Sequence, residues 1–239
     1  MNLILLSDSD FLTPHRVRLT GRRFDHIQDI LKAENGKVLS VGKINGLVGQ
    51  GTIVSKTSKA IELDVKFDQK PPEALPLTLI LALPRPPMLK RILFSASMLG
   101  VKKIIILNFN RVEKSLWNSS SLKPEAIEEQ LILGLEQAKD TVMPEVILQK
   151  RFKPFVEDEL PVLIKGKLAL VAHPEKMGTS PIFSKEIGRR PHFLVIGPEG
   201  GIIDYEIEAL KAAGCQTLDL GPRILRTDSV LPFVVGKLF

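Results

Sequence analysis

Apolar residues recur in this chain with two different periods. Over the first seventy positions they come in short β-type runs, at Leu3–Leu6, Arg16–Leu19, Lys37–Val41, Leu47–Val54 and Ala60–Val65, with turns marked by Asn35-Gly36 and Asn45-Gly46. One stretch breaks the series. Phe24, Ile27, Ile30 and Leu31 fall at three- and four-residue spacing and predict an amphipathic helix over Arg22 to Ala33. Together these elements predict a small β-barrel-like domain. Lys70-Pro71-Pro72-Glu73 then reads as a stiff linker, because consecutive prolines hold the backbone extended.

Beyond the linker, strands alternate with helices. Leu77–Leu83 is an apolar run bounded by prolines, as a strand buried on both faces requires. A helix is predicted from Met88 to Leu99, stopped by Gly100, followed by a strand at Lys103–Phe109 and a long helix from Pro124 to Asp140 with Ile127, Leu131 and Leu135 on one side. Shorter strands follow at Val146–Leu148, Leu168–Ala172 and Phe193–Ile196. Then come a helix from Tyr205 to Ala213, a strand at Gln216–Leu220 and a last helix from about Ser229. Such alternation predicts an α/β layer around a mostly parallel sheet.

Composition narrows the class. A chain of 239 residues with 44% hydrophobic positions can bury a sizeable core without staples. The single cysteine, Cys215, excludes an intrachain disulfide, fits a reducing compartment and reads as a small core residue. No run reaches the roughly 18 apolar residues of a membrane span, and MNLILLSDSD does not read as a signal peptide, so a cytoplasmic location without membrane attachment is expected. The net charge of +6 favours a polyanionic partner, and Arg16, Arg18, Arg22 and Arg23 form a local basic cluster, with Lys43 further on, that suits RNA as well as it suits a solvated surface.

Candidate chemistry lies in three loops that follow predicted strands: Ala172-His173-Pro174-Glu175, Gly197-Pro198-Glu199-Gly200-Gly201, and Gly221-Pro222-Arg223-Ile224-Leu225-Arg226-Thr227-Asp228. Ligands of open α/β sheets bind outside the carboxyl ends of the strands. The middle loop has neither a G-x-G-x-x-G nor a phosphate-loop lysine, and Glu199 inside it disfavours an anion. A neutral or cationic ligand fits better, and a tight turn with no ligand stays open. Asp204 is a predicted cap of the following helix, with Glu206 in its first turn. In the third loop Arg223 and Arg226 suit phosphate or base contacts, or structural ion pairs, and Asp228 suits helix capping. Four histidines and one cysteine offer no metal-ligand spacing, so no metal is expected. His26 reads as structural. Trp117 is open between base stacking and packing against its own domain.

The runs LVIGPEGGIIDYEIEALKAAG and LGPRILRTDSV, with LALPRPPMLKRILFSASMLGVKKIIIL, EEQLILGLEQAKDTVMPEV and RRFDHIQDILKAENG, resemble the ribosomal small subunit methyltransferase E family of the SPOUT superfamily, over nearly the whole chain. Members of that family methylate N3 of a uridine in 16S rRNA. The resemblance implies an α/β fold with a PUA-like RNA-binding barrel over residues 1–70 and a methyltransferase domain over residues 74–239. It also implies a deep C-terminal trefoil knot and a homodimer with the RNA site across its interface. S-adenosylmethionine would then lie against Ala172, His173 and Pro174 of the first loop, Ile196, Gly197 and Gly201 of the second, and Leu220, Ile224, Leu225 and Thr227 of the third. Arg226 would position the uridine, with Glu199 and Asp228 as candidate bases, and Arg16, Arg18, Arg22, Arg23 and Arg223 would meet RNA. The chain departs from the family where Asp228-Ser229 replaces Glu-Thr, where Ile202 replaces an aromatic residue, and where Arg85-Pro86-Pro87 replaces a Lys-Gly-Asp-type loop. Two other functions share these residues: a SPOUT methyltransferase acting on another RNA or atom, and a non-catalytic RNA-binding protein.

Overall fold

The computed structural model describes residues 2–174 and 192–239; Glu175 of the first candidate loop lies outside them. The chain divides into two compact units, Met1–Glu73 with Ile132–Met143, and Ala74–Leu131 with Pro144–Phe239.

The first unit holds a six-stranded sheet. Its strands are β1 (Ile4–Leu6), β2 (Phe11–Thr13), β3 (Arg16–Leu19), β4 (Val38–Lys43), β5 (Val48–Lys56) and β6 (Ile61–Gln69), in the order β1-β4-β5-β6-β3-β2. Only the β1–β4 pair is parallel. Buried and exposed positions alternate along β5 and β6, so one face meets the core and the other meets water. That core gathers Leu6, Val17, Leu19, Ile27, Ile53 and Leu63. The Asn45-Gly46 turn forms as predicted, with Asn45 in the left-handed region at φ 58° and the Gly46 N–H on the Lys43 carbonyl.

The helix predicted over Arg22 to Ala33 is shorter and wider than its periodicity implied. Helix α1 (Gly21–Asp25) passes into a single π turn over His26–Ile30, which leaves Ile30 and Leu31 exposed. Strand β2 carries no sequence signal, because three residues between Asp10 and Pro14 show no alternation.

Three of the four clustered arginines are held by carboxylates. Arg16 meets Asp64 at 2.9 Å, Arg22 meets Glu136 at 2.8 Å, and Arg23 meets Asp10 at 2.6 Å. Burial pushes the Asp10 carboxyl upward, but hydrogen bonds from Arg23 and from the Ser7 backbone outweigh it and hold the group below the usual carboxylate range. Glu136 is 1% exposed and takes both its charge-assisted bonds from Arg22. Arg22→Ala therefore strands a buried carboxylate. It should lower stability by ~2 kcal/mol, less than a fully buried pair because Arg22 is half exposed, while Arg16→Ala, which removes a surface pair, should change it far less. Urea midpoints of the two variants check this; equal shifts would refute it.

The second unit is built on six parallel strands: β7 (Leu75–Ala82), β8 (Val101–Leu107), β9 (Glu145–Gln149), β10 (Ala169–Ala172), β11 (Phe193–Ile196) and β12 (Gln216–Leu218), in the order β12-β10-β11-β7-β8-β9. Leu79, Ile80, Leu81 and Leu194 are fully buried, as the apolar runs required. Helix α2 (Pro86–Met98) starts on two prolines and ends at Gly100, whose φ of +84° only glycine adopts without strain. Helix α3 (Pro124–Ala138) buries Ile127, Leu131 and Leu135, and its last turns belong to the first unit. Between β9 and β10 runs a helical segment that the apolar pattern did not predict. Helices α4 (Phe152–Pro154) and α5 (Leu160–Leu163) flank a π turn over Phe155–Glu159. Its two prolines masked the periodicity of Phe155, Val156 and Leu160, all of which are buried.

Helices α6 (Asp204–Ala212) and α7 (Thr227–Leu238) correct two capping assignments. Asp204 and Asp228 stand inside their helices, and Ile203 and Arg226 occupy the cap positions with no side-chain cap bond. Both aspartates instead sit in first turns, where the helix dipole favours negative charge. Cys215 is 4% exposed and burial pushes its thiol up to about 12, so it is an inert core group.

Candidate functional site

The chain runs from β7 to β8 and β9 in one direction across the sheet, then returns to place β11 against the other side of β7. The order reverses between β7 and β11, and the loops leaving their carboxyl ends diverge there, which opens a crevice. A cavity of about 700 Å³ lies at this point. It is walled by the ends of β10 and β11, the Gly197–Gly201 loop, and the segment Ile224–Thr227 that enters α7.

Nine of the ten residues predicted for the methyl donor line this cavity, and Leu220 lines a smaller adjoining pocket of about 110 Å³ that shares Ala172, His173 and Pro174 with it. Four lining residues were not foreseen. Met88 comes from α2, whose first turn nothing local connects to these loops. Val230 looked like one more core position of α7. Ile202 is 7% exposed and packs over Gly197, where a Cβ would overlap its side chain. Asp219 accepts the Gly221 N–H at 2.8 Å, which sets a turn with Gly221 at φ +103°. An Asp two residues before a glycine is a readable turn signal.

The loop after β11 is a tight turn closed by Gly201 N–H on the Pro198 carbonyl at 2.8 Å. Glu206 of α6 is 2% exposed and holds both flanks of this region. Its Oε2 accepts the Ile203 N–H and its Oε1 accepts the Asn110 N–H at 2.6 Å. Apolar walls and glycine backbone, with Glu199 and Arg226 as charged groups of opposite sign on the lining, make this a cavity for a ligand with an apolar body.

The three predicted catalytic residues are not all together. Arg226 and Glu199 line the cavity, and both are partly exposed. Asp228 lines a separate groove of about 520 Å³ with Lys90, Arg91 and Phe94. Its carboxylate lies 3.4 Å from Arg91 Nη1 and 3.5 Å from Arg226 Nε, and its Oδ1 is buried without a hydrogen bond. Glu199 is 3.9 Å from Arg85, which is anchored more closely by Glu113 at 3.0 Å. Of the predicted RNA contacts in this unit, Arg223 is exposed beside the smaller pocket. Trp117 donates its indole N–H to Asn108 at 2.8 Å, as packing against its own domain requires. Among the described residues no group of His, Cys, Asp and Glu could hold a metal ion, and no helix is long and apolar enough to cross a membrane.

A family model described as RNA methyltransferase domain matches residues 71–238. The chain is 28% identical over 231 residues to ribosomal RNA small subunit methyltransferase E of Treponema pallidum strain Nichols, covering 96% of this chain and 87% of that protein. It is 25% identical to ribosomal RNA small subunit methyltransferase E 1 of Borreliella burgdorferi, covering 96% and 93%. Among solved structures it is similar to a Legionella pneumophila protein in complex with the cofactor S-adenosylmethionine, at TM-score 0.76 and 21% identity over 99% of this chain and 96% of that one. It is also similar to the Neisseria gonorrhoeae ribosomal RNA small subunit methyltransferase E bound to S-adenosylmethionine, at TM-score 0.72 and 17% identity over 99% and 95%.

Proposed function

The chain belongs to the RNA methyltransferase domain family, and on that premise we propose that it methylates N3 of a uridine in 16S rRNA of the small ribosomal subunit, with S-adenosylmethionine as donor. One observation carries this reading: a cavity of about 700 Å³, walled by three loops at strand carboxyl ends, with Arg226 and Glu199 on its lining. The cavity suits the donor. Its volume falls in the range of ligand sites, roughly 300–1,000 Å³. Ile196, Ile202, Leu225 and Val230 offer apolar contact for an adenine, and Gly197 and Gly201 let it approach the backbone. When bound, the donor supplies an electrophilic methyl group on a cationic sulfur.

The chain's own residues must make N3 a nucleophile. N3 of uracil carries a proton and attacks only as that proton leaves. Glu199 is the carboxylate on the cavity lining and takes the proton as the new N–C bond forms and the donor's S–C bond breaks. Arg226 holds the uridine and offsets the charge that grows on its carbonyl oxygens. Asp228 holds Arg226 rather than acting as base, because its carboxylate is engaged by two arginines in a separate groove. Arg18 and Arg223, exposed and without ion pairs among the described residues, are the arginines of the predicted set best placed to meet phosphates.

The family reading also carries the PUA-like barrel for the first unit, a trefoil knot in the second, a homodimer and a cytoplasmic site of action. The parallel pairing of β10 with both β11 and β12 is compatible with such a knot. Mass mapping of rRNA from a strain lacking this protein should lose one N3-methyluridine from 16S rRNA. A full complement of that nucleotide would sink the proposed site, loss of a different methyl group would redirect it to another RNA or atom, and absence of donor binding by calorimetry would leave an RNA-binding protein without catalysis.

A further inference from the structure

We infer that Arg111 is a positioning residue that locks the Gly200–Gly201 peptide in the orientation the donor cavity needs; the inference rests on the donor reading above. The bonds at the two ends of one peptide plane carry it. The Gly200 carbonyl accepts from Arg111 Nη1, and the Gly201 N–H donates to the Pro198 carbonyl at 2.8 Å. A peptide between two glycines has no Cβ to oppose its rotation, so little in the loop itself selects one orientation. Turning it over would reverse both groups at once and break both bonds. Arg111 supplies the charge-assisted member of the pair.

The arginine is fitted to this place. Its stem lies over Gly200 and its guanidinium over Gly201. A Cβ built on Gly200 would stand 3.3 Å from Arg111 Cδ, and one built on Gly201 would stand 3.5 Å from its Nη1. The neighbouring residue holds the same segment as well, since the Asn110 N–H donates to buried Glu206 at 2.6 Å. The chain after β8 therefore holds this segment at two points, Gly200 in the turn and Glu206 in α6, which flank Ile202 in the sequence. Ile202 and Gly201 both line the donor cavity. A flipped peptide would send the Gly200 oxygen and the Gly201 N–H to opposite faces of the turn and change the backbone that the donor meets. A loop that is competent for only a fraction of the time binds with its affinity reduced by that fraction.

Arg111→Ala should raise the donor dissociation constant and KM about tenfold, leave kcat within about twofold, and leave RNA affinity and its salt dependence unchanged. Arg111→Lys, which keeps a cationic donor, should recover most of the loss. In the absence of any ligand, amide exchange at Gly201 should quicken about tenfold in Arg111→Ala, because the Pro198 bond opens with the flip. Unchanged Gly201 exchange would overturn the lock. So would donor affinity within twofold of wild type, or a loss confined to RNA binding with a shallower salt slope. Failure of wild type to bind the donor at all would refute the proposed function, and the exchange measurement would still test the lock by itself.

Discussion

Arg226→Ala should lower methyl transfer by about a thousandfold, the cost of removing a group that meets charge developing in the transition state, while donor affinity stays within about threefold, ~0.6 kcal/mol. The asymmetry follows from where the side chain stands. Arg226 is the residue before α7, and it is one of sixteen residues that line the cavity, with Thr227 beside it. Its guanidinium is 65% exposed and leans on Asp228, with Nε 3.5 Å from Oδ1 and Nη2 3.5 Å from Oδ2. Truncation to alanine removes the guanidinium and leaves the other lining residues in place. Arg226→Lys keeps the charge but loses the planar fork, and should retain only a few per cent of the rate. Donor affinity by calorimetry and single-turnover transfer on rRNA separate the two effects. A variant that no longer binds donor would assign Arg226 to the donor pocket instead of the uridine.

Gly197→Ala should reduce donor affinity by at least about thirtyfold and cost ~1–3 kcal/mol of stability, the usual penalty of overpacking. A Cβ at this position would overlap Ile202, which is 7% exposed and cannot retreat into solvent without opening the cavity floor. The second-site change Ile202→Ala removes the overlapping atoms, so Gly197→Ala should cost less donor affinity in that background than in wild type. Equal penalties in the two backgrounds would show that the glycine serves donor contact alone and not the packing of the loop. The same contact accounts for the departure at Ile202: an aliphatic side chain fills the space above Gly197.

The periodicities in the chain carried most of the architecture. Five strands of the first unit and all six of the second lie where the apolar runs predicted, with shifts of a few residues at their ends. What escaped had physical reasons. Strand β2 is too short to alternate. The helical segment Phe152–Leu163 is interrupted by Pro154 and Pro161. The helix over Arg22 to Ala33 widens into a π turn, and no residue pattern announces one. Within the site, the Gly- and Pro-rich loops were legible because tight turns and close backbone approach demand those residues locally. Met88 and Val230 were not, since their roles depend on which loops the sheet order brings together.

The sequence by itself determined the two periods, the strand-end loops and the absence of a phosphate-loop lysine, all of which are local properties of short segments. Only the tertiary structure decided which groups meet across long separations: Arg22 with Glu136 over 114 positions, Asn110 with Glu206 over 96, and Arg111 with Gly200 over 89. It also divided the two candidate carboxylates, placing Glu199 on the cavity and Asp228 between two arginines in a separate groove. Such partnerships leave no local mark on the chain, because they are set by strand pairing. The parallel contacts of β7 with β11 on one side and β8 on the other bring the loop of Gly200 within reach of the segment of Arg111.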